Sequence, residues 1–200
     1  MFYFNNKIRI IGGCWRGRKI LVSDIPTVRP TPSRVRETVF NWLSPVIKDA
    51  RCLDCFAGSG ALGFEAMSRS AGRVTLLEKN SRISALISHN LQKLQGNKAE
   101  VITTDALFWL AQPGIVFDIV FIDPPFRSKM INPTLDILEK YGRLSKHAWI
   151  YIETEIENSS LIVPSNWQLH RRKIAGKVLY RLYVRNDYRK LKQVIPMYLK

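Results

Sequence analysis

A chain of 200 residues can bury one sizeable core but leaves little room for two full domains, and its hydrophobic share of 46% suits a folded globule rather than a disordered chain. The net charge of +15 points to a polyanionic partner. No apolar run reaches the roughly 18 residues of a membrane span. Asn5, Asn6, Lys7 and Arg9 stand where a signal peptide would need an apolar block, so the expected setting is cytoplasmic, with no membrane partner.

Charge is unevenly spread. Residues 1–40 carry eight Lys or Arg against two Asp or Glu, residues 41–167 carry thirteen of each, and residues 168–200 carry ten against one. A neutral middle between two basic ends favours a nucleic-acid partner over a merely solvated surface. The same division suggests a basic extension over 1–40, a main domain over 41–187 and a basic tail over 188–200.

In chain order, Ile8 to Ile11, a Gly12-Gly13 turn, the basic Trp15-Arg16-Gly17-Arg18-Lys19 and Ile20 to Val22 predict a small β-hairpin. Pro26, Pro30 and Pro32 keep the next segment extended, and Ser33 is placed to cap a helix from Arg34 to about Leu43. From Arg51, short β-branched or aromatic runs alternate with helical patterns, the signature of a mostly parallel α/β sheet. The runs are Arg51 to Phe56, Arg73 to Glu78, Glu100 to Thr104, Asp118 to Ile122 and Ala148 to Glu153. Between them, a helix opens near Leu62, an amphipathic stripe of Ile83, Leu86, Ile87, Leu91 and Leu94 marks a second, and Ala106 to Gln112 allows only a turn or two. Trp167 to Ile174 and Lys177 to Arg185, separated by Ala175-Gly176, read as an antiparallel hairpin. The predicted fold is therefore a Rossmann-like sheet, parallel except for this C-terminal hairpin, with a small basic N-terminal hairpin added.

Cys52 and Cys55 match C-x-x-C, but strand residues three apart face opposite ways, so both read as small buried side chains rather than a redox or metal pair. His89, His147 and His170 share no motif, and no metal is expected. Trp42, Trp109, Trp149 and Trp167 lie in apolar runs and are expected in the core; for Trp15, among basic neighbours, base stacking and packing both stand.

Two loops carry the chemistry. Asp54-Cys55-Phe56-Ala57-Gly58-Ser59-Gly60 closes the first main strand and opens a helix, whose free N–H groups and close backbone approach suit a bound cofactor. Gly58, Gly60 and Gly63 also satisfy G-x-G-x-x-G, which alone fits a dinucleotide equally well. Glu78, ending the second strand, suits ribose hydroxyls in either case. Asp54 tips the reading to S-adenosylmethionine, because a carboxylate there would attract an ammonium group and repel a pyrophosphate. Asp105, with Ala106 and Leu107 beside it, could hold the adenine, or could simply cap a helix. Asp123-Pro124-Pro125-Phe126 follows a buried strand at its carboxyl end, where open α/β sheets place their sites. There Asp123 and the Pro124 carbonyl could accept hydrogens from an exocyclic amine, Pro125 stiffens the loop, and Phe126 offers a stacking surface for an unstacked base.

These two loops resemble those of class I amino-methyltransferases. Ile8-Arg9-Ile10-Ile11-Gly12-Gly13, Trp15-Arg16-Gly17-Arg18-Lys19, Arg29-Pro30-Thr31, Arg34-Val35-Arg36-Glu37-Thr38-Val39-Phe40-Asn41-Trp42 and Tyr180-Arg181-Leu182-Tyr183 resemble the bacterial RsmD family. The resemblance implies methyl transfer from S-adenosylmethionine to the N2 amine of a guanine in 16S rRNA, in a monomer acting on the rRNA or the assembling small subunit. Independently of it, the basic N-terminal segment is expected to contact RNA at Arg9, Trp15, Arg16, Arg18, Lys19, Arg34 and Arg36. A DNA adenine-N6 methyltransferase sharing the D-P-P-F loop, or a non-catalytic RNA-binding module, are the alternatives. Cys14 stands where the family usually has a basic residue, and Pro32-Ser33 where it usually has Thr-Asp.

Overall fold

The computed structural model describes residues 6–25, 30–158 and 161–186; the expected basic tail over 188–200, and Pro26 and Arg29 of the linker, lie outside them. Strands β1 (Lys7–Arg9) and β2 (Lys19–Leu21) form the small antiparallel hairpin, with Ile8 opposite Ile20. Helix α1 (Ser33–Leu43) follows, burying Val35, Arg36, Val39, Phe40 and Leu43 on one face. Ser33 does not cap it. Pro32 holds the N-cap position without a side-chain bond, Ser33 is already helical, and its hydroxyl accepts from Arg36 instead at 3.2 Å. A proline fits there because it fixes an extended approach to the helix and has no N–H to satisfy.

The main sheet is built from β3 (Arg51–Asp54), α2 (Ala61–Ser68), β4 (Arg73–Glu78), α3 (Ser81–Leu94), β5 (Ala99–Thr103), α4 (Ala106–Leu110), β6 (Phe117–Ile122), α5 (Ile131–Lys140), β7 (Leu144–Glu155), β8 (Trp167–Ala175) and β9 (Val178–Arg185). Strand order is β5-β4-β3-β6-β7-β9-β8; the first five strands are parallel and β9 enters antiparallel, as the terminal hairpin required. Chain order reverses between β3 and β6, a switch point that opens a crevice at the carboxyl edge. β7 runs well beyond its predicted ends, from Leu144 rather than Ala148 and to Glu155 rather than Glu153, because Leu144 pairs with Phe117 of β6 at one end and β9 pairs as far as Glu155 at the other.

Each face of the sheet has its own core. One gathers Val39, Phe40, Cys52, Phe64, Val74, Ile87, Phe121 and Tyr151; the other gathers Leu53, Cys55, Val120, Ile122, Leu135 and Ile150. Cys52 and Cys55 thus fall in different cores, and burial pushes both thiols up. Among the tryptophans, Trp167 is buried, while Trp42, Trp109 and Trp149 are half-buried against the two cores.

The N-terminal hairpin is clamped to the main domain. Glu65 of α2 accepts from the Ile11 and Gly12 amides at 3.0 and 2.8 Å, and Ser68 accepts from the Trp15 amide at 2.9 Å. Asn90 of α3 both accepts from Leu21 N at 3.0 Å and donates to Leu21 O at 2.8 Å, closing the edge of β2. Gly13 sits so close to α2, at φ +76°, that a Cβ would fall within 1.7 Å of the Ser68 carbonyl.

Candidate active site

Four acids converge at the carboxyl edge: Asp54 from β3, Glu78 from β4, Asp123 just after β6 and Glu153 near the end of β7. Asp54 is 1% exposed, and neither carboxylate oxygen has a hydrogen-bond partner among the described residues. Burial above all, then the charges of Asp123 and Glu78, raise its pKa to about 7; the amides of Gly63 and Phe56 oppose that rise without closing into hydrogen bonds. The next turn is fixed by glycine. Gly58 and Gly60 have φ of +52° and +75°, and a Cβ on Gly60 would lie 2.6 Å from the Phe64 ring. Ala57 and Ser59 of this loop are buried and Phe56 is half-buried; Gly60 holds the N-cap of α2 without a side chain, and the Ser59 hydroxyl accepts from the Ala61 amide at 3.3 Å.

Glu78 accepts from the Gly58 amide at 2.9 Å and the Asn80 amide at 2.7 Å, so it braces the glycine loop from the neighbouring strand. Asp105 does cap α4, accepting from Leu107 and Phe108 at 3.0 and 3.2 Å, while its second oxygen pairs with Lys79 at 3.1 Å. Burial would lift its pKa, but the cap amides and Lys79 outweigh it and hold the carboxyl below its usual range. Ala106 is buried and Leu107 half-buried beside it.

In the loop after β6, Asp123 is half-buried, Pro124 is buried, and Pro125 and Phe126 are exposed, Phe126 by 47%. Among the described residues nothing donates to the Pro124 carbonyl. Thr31, itself buried, donates its hydroxyl to Asp123 at 3.5 Å. Glu153 is buried behind it and accepts from the Tyr151 hydroxyl at 2.7 Å. Desolvation drives the pKa values of Asp123 and Glu153 up, and the charge of Asp123 lifts Glu153 further, so the pair resists losing both protons together. Thr31 and Glu153 were not anticipated from sequence. Glu153 could have been, since it sits at a strand's carboxyl end like Asp54 and Glu78; Thr31 carried no chemical signal of its own.

Of the expected RNA contacts, Arg9, Arg16, Arg18, Lys19 and Arg34 are exposed, and Arg18 and Lys19 line a hollow of about 330 Å³ with Lys93 and Asn90. Arg36 and Trp15 are not at the surface. Arg36 is 1% exposed, donating to Thr31 O at 3.0 Å, Arg9 O at 3.1 Å and Glu65 at 3.2 Å. It ties hairpin, linker and α2 together, and so seats the Thr31 that reaches Asp123. Trp15 is 9% exposed and packs in the core near Gly96, which decides between packing and stacking in favour of packing.

A parallel sheet with an antiparallel end, a glycine loop flanked by Asp54 and Glu78, and a D-P-P-F loop across the switch point define a methyltransferase of the Rossmann-like class. Residues 8–184 match the family model described as Conserved hypothetical protein 95, and the chain belongs to that family, the RsmD family. It is 54% identical over 181 residues to the ribosomal RNA small subunit methyltransferase D of Escherichia coli (strain K12), covering 90% of this chain and 91% of that one. The solved Escherichia coli protein yhhF is 52% identical with a TM-score of 0.86, covering 90% of this chain and 99% of that one. A solved Haemophilus influenzae relative gives 44% and 0.80, over 91% and 100%.

Proposed function

We propose that this enzyme transfers a methyl group from S-adenosylmethionine to the exocyclic N2 amine of a guanine in 16S rRNA, acting as a cytoplasmic monomer on the rRNA or the assembling small subunit. The observation that carries the reading is the buried, unpartnered Asp54 carboxylate one strand away from the Asp123-Pro124-Pro125-Phe126 loop. A carboxylate held so far from water, with its pKa raised, is stabilised by a cation; the cofactor's ammonium group fits that need and a pyrophosphate does not. Glu78 would take the ribose hydroxyls, the glycine loop the amino-acid end, and Asp105, Ala106 and Leu107 the adenine. When bound, S-adenosylmethionine supplies an already activated sulfonium methyl.

The chain's own residues then have two tasks. Guanine N2 is a weak nucleophile because its lone pair is delocalised into the ring. Asp123 and the Pro124 carbonyl accept its two hydrogens, which lets the nitrogen pyramidalise and stabilises it as positive charge grows. Phe126 receives the unstacked base, and the stiff prolines keep both acceptors in place. As the methyl passes from sulfur to nitrogen, leaving a neutral thioether, Asp123 would take the one proton that the amine gives up. Arg9, Arg16, Arg18, Lys19 and Arg34 hold the RNA backbone. The substrate assignment draws on the Escherichia coli relative, a ribosomal RNA small subunit methyltransferase. Mass mapping of 16S rRNA from cells with and without the gene tests it: one guanine should lose a single methyl on deletion. An unchanged 16S rRNA, or a methyl lost from DNA adenine instead, would overturn the assignment.

A further inference from the structure

The most exposed strand of the sheet is β8. Every residue from Gln168 to Ile174 is exposed, and among the described residues β8 lies at the end of the strand order with β9 as its sole partner. Arg171, Arg172 and Lys173 stand consecutively on it, and Lys177 follows the Ala175-Gly176 turn. From Gln168 to Asn186 the sequence contains no Asp or Glu. The contrast with the other strands is sharp: Arg51 pairs with Asp118 at 2.9 Å, Arg73 with Glu100 at 3.0 Å and Arg185 with Glu139 at 2.7 Å. Among the described residues, Arg171, Arg172, Lys173 and Lys177 have no such ion pair.

Strand register fixes where these cations lie. Ile122 pairs with Ile152, Ile152 with Arg181 and Arg181 with Arg172, so one row crosses the sheet from the root of the D-P-P-F loop to β8. One residue further on, Asp123 leaves its strand while Glu153 pairs with Tyr180 and Tyr180 with Lys173. At about 4.8 Å per strand, three steps put Lys173 roughly 14 Å from the catalytic loop. Lys177 follows at the same carboxyl edge of the sheet. Side chains alternate, so Arg171 and Lys173 stand on the face of Tyr180 and Arg172 on the face of Arg181.

Resting on the reading of the chain as an rRNA methyltransferase, we propose that Arg171, Arg172, Lys173 and Lys177 form a second phosphate-binding edge, which grips the RNA backbone beside the target base on the β8 side of the site. The N-terminal hairpin, clamped to α2 and α3, serves the other side. Four cations without an ion pair among the described residues, with Lys173 about 14 Å from the reacting position, complement a polyphosphate chain, and the strand that carries them is exposed. The competing explanation is that the cations only protect an exposed strand from pairing with another chain.

The test neutralises all four together, Arg171→Gln, Arg172→Gln, Lys173→Gln and Lys177→Gln, and measures binding to purified 16S rRNA across a salt series. Each lost phosphate contact removes about 0.7–0.9 from the slope of log K against log salt, so the slope should flatten by roughly 3. S-adenosylmethionine affinity should be unchanged, which also shows that the variant is folded. Neutralising Lys48 and Lys98, exposed at the opposite edge, should leave the slope as it is. A quadruple variant that keeps the wild-type slope, whether or not it aggregates, overturns the inference while leaving the methyltransferase reading intact. Failure of the wild-type enzyme to bind or methylate 16S rRNA would instead remove the reading on which it rests.

Discussion

Replacing Arg36 with methionine keeps most of its volume and removes its charge, and the expected damage can be worked out bond by bond. The guanidinium is 1% exposed and donates to Thr31 O, Arg9 O, Glu65 and Ser33 at 3.0 to 3.2 Å. Burial pushes it down towards its neutral form, and Glu65 beside it offsets part of that. Without it, Glu65 is left at 0% exposure with Arg69 at 3.1 Å and the two hairpin amides, and the Thr31 and Arg9 carbonyls lose a donor, the first of them buried. Breaking a buried ion pair costs about 3–5 kcal/mol, and the remaining Arg69 puts this case near about 3. In a chain of this size each kcal/mol moves Tm by about 2–4 °C, so Arg36→Met should melt roughly 6–12 °C lower. Calorimetry gives the shift, and RNA binding measured well below that Tm should keep its wild-type salt slope. An unaltered Tm with a slope reduced by about 0.7–0.9 would show instead that Arg36 is a surface phosphate contact and not a buried anchor.

Asp54 should couple cofactor binding to pH: its folded pKa of about 7 lies above the unfolded carboxylate, so the folded chain binds the extra proton. Stability of the ligand-free protein should therefore fall as pH rises from about 5 to 7, and S-adenosylmethionine should bind more tightly over that range as Asp54 ionises. Calorimetry should show proton release on binding, and Asp54→Asn should abolish the pH dependence of affinity while only reducing the stability trend, to which the raised Asp123 and Glu153 also contribute; a pH-independent wild-type affinity would refute the ammonium contact. Phe126→Ala should weaken capture of the target base by roughly 1–3 kcal/mol, and Phe126→Trp should restore part of it; equal single-turnover KM values for all three would remove the stacking role.

Strand and helix order was legible because periodicity changes with each element, and three of the four acids gathered at the carboxyl edge, Asp54, Glu78 and Asp123, were legible because strand ends at a switch point collect ligands. What failed were roles that depend on packing across the chain. Arg36 was read as an RNA contact from its basic surroundings, although Val39, Phe40 and Leu43 lie three, four and seven positions on, which put it on the buried face of α1. For Trp15 the sequence leaves stacking and packing both open; the hairpin's attachment to Ser68 turns its ring inward, and that contact spans 53 residues of sequence. Thr31 reaches Asp123 across 92 residues, a proximity that only the folded linker creates. Glu153 was visible as the end of a predicted strand yet carried no motif, so its place beside Asp123 emerged from the β6–β7 register.

The division of labour between Asp54 and Asp123 is best tested by single-turnover methyl transfer to 16S rRNA at saturating S-adenosylmethionine, comparing the wild-type enzyme with Asp123→Asn. Asparagine keeps the size of the side chain but replaces one acceptor with a donor, so the fold and cofactor affinity should hold while the rate falls on the order of 10²-fold or more. A rate within a few-fold of wild type would contradict the assignment of Asp123 to the reacting amine.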